Sequence, residues 1–69
     1  MNRIDWNKVN RSIERMDWDA QATADSILTN LERKADWFDR KGWTTEQVVA
    51  RLWNMTEQKN RRYNRYPAI

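Results

Sequence analysis

The chain reads as an all-α protein on three observations. Apolar residues recur in steps of three and four from Trp6 to Phe38, with no competing alternation of period two. Glycine and proline occur once each, at Gly42 and Pro67, positions that suit helix ends rather than interiors. Good capping residues stand just ahead of the periodic segments. With 69 residues there is room for a single small helical domain, 1–69. Such a domain buries only about 60% of the surface its unfolded chain exposes, so additional support is expected. There is no cysteine for a disulfide and no histidine for a metal, which leaves self-association.

The first helix begins at Asp5, a good N-cap, with Ile4 placed to pack on Val9 as a hydrophobic staple. Trp6, Val9, Ile13, Met16, Ala20, Ala24, Ile27, Leu31, Ala35 and Phe38 then fall within an arc of about 100°. Arg40 and Lys41 suit a helix C-terminus, and Gly42 suits the left-handed position beyond it. Thr44 and Gln47 form a capping box for the last helix, with Trp43 and Val48 in staple positions. Helix is therefore expected over about 6–41 and about 45–64, with a basic tail over about 58–69.

The stretch 6–41 reads either as one helix or as two parted at Asp17-Trp18-Asp19. Asp17 would cap a second helix and Asp19 would suit its first turn, giving three helices in all. The unbroken helix would be about 54 Å long against about 30 Å for the last one. Val9, Ile13, Met16 and Ala20 would then lie bare unless a second copy covered them. The in-phase stripe, with no glycine or proline at the junction, favours a helical hairpin that dimerises into a small bundle.

Composition excludes several functions. The first five residues hold no apolar run, so neither a signal peptide nor a membrane span is expected, and the location implied is cytoplasmic. One glycine cannot build a phosphate-cradling loop. Asp17-x-Asp19-x-Gln21 opens like a calcium loop, but Ala22 replaces the required glycine and Leu28 the closing carboxylate. Glu32, Asp36 and Asp39 share a face with Arg33 and Arg40, and pairing such as Asp36–Arg40 explains them. No catalytic residue, cofactor, metal or small-molecule substrate is expected.

What remains is binding. Trp6, Trp43 and Trp53 are assigned to packing: beside the first cap, in the staple, and in the core. Trp18 projects about 160–200° from the stripe on a continuous helix, and Trp37 lies at its edge. Exposed tryptophans are characteristic anchors of protein interfaces. The protein-binding residues expected are thus Trp18 and Trp37, with Arg51 steering approach to an acidic surface. The implied role is a small regulator or inhibitor acting by steric occlusion, of the accessory kind that phages and plasmids encode.

The alternative is nucleic acid. Residues 1–43 carry eight basic and eight acidic side chains, whereas 44–69 carry five basic and two acidic. Arg51, Lys59, Arg61, Arg62, Tyr63, Arg65 and Tyr66 could neutralise phosphates and stack on bases. A helix-turn-helix register around Gly42 fits poorly, because it would bury Lys41 and Arg51. The tyrosine-rich apolar side of the last helix argues against a membrane surface.

Overall fold

The computed structural model describes residues 4–63, with side chains through Arg61. Four α-helices and one 3-10 turn account for most of these residues, and no strand occurs among them. They are α1 (Trp6–Ser12), the 3-10 turn Ile13–Arg15, α2 (Trp18–Arg33), α3 (Ala35–Arg40) and α4 (Thr45–Tyr63).

The helix starts follow local chemistry. The Asp5 carboxylate accepts from the backbone N–H groups of Asn7 at 3.1 Å and Lys8 at 3.2 Å. Thr44 and Gln47 exchange bonds reciprocally, with 2.9 Å to the Thr44 N–H and 3.2 Å to the Gln47 N–H. Between them, α3 ends in a Schellman motif. Gly42 has φ +77°, the Trp43 N–H bonds the Phe38 carbonyl at 3.0 Å, and the Gly42 N–H bonds that of Asp39 at 3.1 Å. The accompanying apolar contact is Trp43 on Phe38, with ring centroids 4.9 Å apart.

The continuous helix over 6–41 does not form. After the 3-10 turn, Met16 and Asp17 take extended backbone, with ψ 160° and 155°. The chain reverses there. α1 runs parallel to α4, tied by Asp5 N–H to Thr45 Oγ1 at 2.9 Å, Lys8 to Glu46 at 3.3 Å and Trp53 Nε1 to Ser12 Oγ at 3.2 Å. α2 runs back along α4, with Thr23 Oγ1 bonded to Asn60 Oδ1 at 2.7 Å. Trp6 and Phe38 would lie about 48 Å apart on a continuous helix; their ring centroids are 6.4 Å apart.

This reversal removes the need that pointed to a second copy. Val9, Ile13 and Met16 are buried within one chain, in a common core with Ile27, Leu31 and Phe38. Val9, Val48 and Leu52 have no exposed surface at all. A second irregularity falls at Lys34 (φ −103°, ψ 20°), which parts α2 from α3. Gln21 Nε2 caps the exposed end of the reversal by donating to the Met16 carbonyl at 3.0 Å. No helix among the described residues is long and apolar enough to cross a membrane.

Gly42 offers a clean test of the hairpin. A Cβ there would meet nothing within 4 Å, so substitution costs only the left-handed backbone. Gly42→Ala should destabilise by about 1 kcal/mol, and Gly42→Asn by less, in chemical denaturation.

Candidate protein-binding groove

The Schellman turn and the irregularity at Lys34 together shape an open groove of about 580 Å³ between α2, α3 and α4. Phe38, Leu31 and Met55 supply its apolar lining. Phe38 is the hub: Trp37 meets it edge-on at 5.1 Å and 86°, and Trp43 meets it at 4.9 Å and 76°. Trp37 and Trp43 lie 6.4 Å apart in a tilted arrangement, so the three rings form one aromatic wall. Edge-to-face pairs of this kind contribute about 0.5–1.5 kcal/mol each beyond their buried area.

The polar part of the lining is cationic. Lys34 and Arg51 border the groove, and no acidic residue lines it. Lys41 adds a third cation, its ammonium 5.9 Å from the Trp37 ring centroid, within cation–π range. Trp37 stays 44% exposed although it touches two other rings. The combination suits an apolar side chain flanked by carboxylates.

Two of the three expected protein-binding residues, Trp37 and Arg51, therefore share this groove. Trp18 does not. It opens α2, about 24 Å of helix axis from the groove, and is 82% exposed. A helix break at Asp17 could have turned this ring inward, but the break is present and the ring faces solvent. Lys34, Trp43 and Met55 also line the groove without having been singled out for binding. The signal for Trp43 was Gly42, since a Schellman turn folds the residue after the glycine back onto the preceding helical turn.

Trp53 departs from its core assignment. It is 37% exposed and spans from α4 to α1 through its bond to Ser12. Ser12 itself lines a second groove of about 450 Å³, where Lys8 and Arg11 of α1 and Arg15 of the 3-10 turn face Val49 and Ala50 of α4. Glu46 closes that groove. Its own backbone N–H, and then Lys8, hold the Glu46 carboxyl below its ordinary pKa.

Of the residues favouring nucleic acid, Lys59 and Arg61 are exposed on α4, and Arg61 is held by Glu57 at 2.6 Å. That is an i,i+4 ion pair, whereas Asp36 and Arg40 do not pair. The side chains of Arg62 and Tyr63, together with Arg65 and Tyr66, lie outside the described residues. No group of three acidic side chains among the described residues could hold a metal ion.

Arg51 and Phe38 separate recognition from stability. The Arg51 side chain is exposed and forms no hydrogen bond or ion pair with the described residues, so Arg51→Ala should change stability by no more than about 0.5 kcal/mol. Phe38→Ala removes the hub and should cost about 3–5 kcal/mol, both read from denaturant midpoints. Comparison with family models, curated proteins and solved structures finds no match, which leaves function to be inferred from this geometry.

Proposed function

We propose that this chain is a non-enzymatic interaction protein, a regulator or inhibitor that captures an acidic, apolar segment of another protein. Capture takes place in the groove walled by Trp37 and Trp43 and bordered by Lys34 and Arg51. It acts by occlusion, because a segment held there is withheld from whatever else it would contact. The observation that carries this reading is the lining itself: an aromatic wall and two cations with no acid among them. Charge of one sign around an apolar cleft raises the encounter rate with the opposite sign and rejects partners of like charge. The rings supply the apolar contact area that dominates binding at small interfaces.

A nucleic acid would use the cations of α4 instead. That reading has less support, since Arg61 is paired with Glu57 and Arg51 opens into the aromatic groove.

The chain's own tryptophan fluorescence can report occupation of the groove. The probe is a short peptide with one leucine between paired glutamates, compared with its lysine counterpart. The acidic peptide should shift the emission, the basic one should not, and Trp37→Ala should weaken binding about 30-fold. Arg51→Glu should weaken it as well. No response to the acidic peptide contradicts the proposal. Quenching by mixed-sequence nucleic acid, with affinity falling steeply between about 50 and 200 mM salt, would favour the alternative.

A further inference from the structure

Trp18 is the most exposed large apolar side chain among the described residues, at 82%, and none of those residues covers it. It follows the extended Met16–Asp17 pair and opens α2 at the reversal end of the molecule. Ala22, one turn on, is too small to cover the ring. Asp17 and Asp19 flank it, both exposed. Asp17 holds the N-cap position, yet its carboxylate makes no capping bond, unlike that of Asp5. The reversal therefore presents an indole between two exposed carboxylates.

That knob has the chemistry the groove selects. An apolar ring would enter a cleft of about 580 Å³, a volume that admits an indole with its flanking residues. Two acids would meet Lys34 and Arg51. The knob cannot reach the groove of its own chain, because α2 is a rigid rod of 16 residues between them. Trp18 also projects about 160° around the helix from Lys34.

We propose that the Asp17-Trp18-Asp19 knob of one copy docks in the Trp37–Trp43–Arg51 groove of a second copy. The inference rests on the reading of the groove as a protein-binding site, and it names the occupant. Knob and groove are different surfaces, so the contact is heterologous, giving head-to-tail chains or closed rings. It uses none of the Val9–Met16 stripe that a dimer of long hairpins would have buried. One knob per contact buries little area, so association is weak and depends strongly on concentration. In this way the chain would occupy its own binding groove when concentrated and release it when dilute.

Sedimentation velocity of the full chain, from about 10 μM to about 1 mM, tests this at the concentrations where so small an interface would act. The wild type should sediment faster as concentration rises. Trp18→Ala and Arg51→Glu should each remain monomeric with unchanged helicity, the dissociation constant rising about 30-fold or more for Trp18→Ala. An equimolar mixture of the two should form a one-to-one complex and nothing larger, since one retains only a groove and the other only a knob. A chain carrying Asp17→Lys and Asp19→Lys and one carrying Lys34→Glu and Arg51→Glu should each be monomeric alone and co-assemble when mixed, since both contacts are then complementary.

A wild type that stays monomeric throughout overturns the proposal. So does self-association that survives both substitutions, or a mixture that remains monomeric. If the wild type is monomeric but the acidic peptide still binds in an Arg51-dependent way, self-docking alone fails. If the peptide also fails, the reading of the groove goes with it.

Discussion

Val48 and Leu52, one turn apart on the same face of α4, have no exposed surface, and both α1 and α2 pack against that helix. A chain this short can supply two partners only by reversing direction. The Met16–Asp17 break does so, laying α1 parallel and α2 antiparallel to α4. The cost is the set of backbone groups freed where a helix stops. Gln21 answers the Met16 carbonyl, and the 3-10 turn satisfies the Met16 N–H through Ile13. The exposed Asp17-Trp18-Asp19 knob is a by-product of the same turn.

The second dependency runs through Phe38. It is buried against α1 through Trp6 and against the α3–α4 turn through Trp43, so the ring that closes the core also backs the groove. Stability and recognition thus share one aromatic cluster, while Arg51 and Lys34 contribute charge at its border without being needed for packing. This division explains how a domain with a marginal core can hold a shaped cleft. The rings that form the wall are already fixed by edge-to-face contact, and little ordering is left to occur on binding.

Much of the fold was legible because its signals are local. Asp5, the Thr44–Gln47 box and Gly42 each act over four or five residues, and each forms the structure its chemistry implies. The break at Met16–Asp17 was not decided by sequence, because no glycine or proline marks it. The apolar stripe also stays in phase whether the chain continues or turns back. Only the burial of Val9 and Ile13 against α4 decides between the two, and that is a long-range term. Lys34 left no signal for the same reason. Trp37, at the edge of the stripe, lies in the groove wall, whereas Trp18 is exposed even though the continuous helix that would point it outward does not form. Trp53 differs from its core assignment because α1 ends at Ser12, leaving the indole bonded to that residue and partly exposed.

The reversal can be tested most directly by an isotope-filtered NOE experiment on a mixture of labelled and unlabelled chains. Contacts between the rings of Trp6 and Phe38 are the ones to read, at a centroid separation of 6.4 Å. Intramolecular cross-peaks between them, unchanged on dilution, are the predicted result. Cross-peaks appearing only between chains would mean that the long helix is continuous and that a second copy completes the core, contradicting the account.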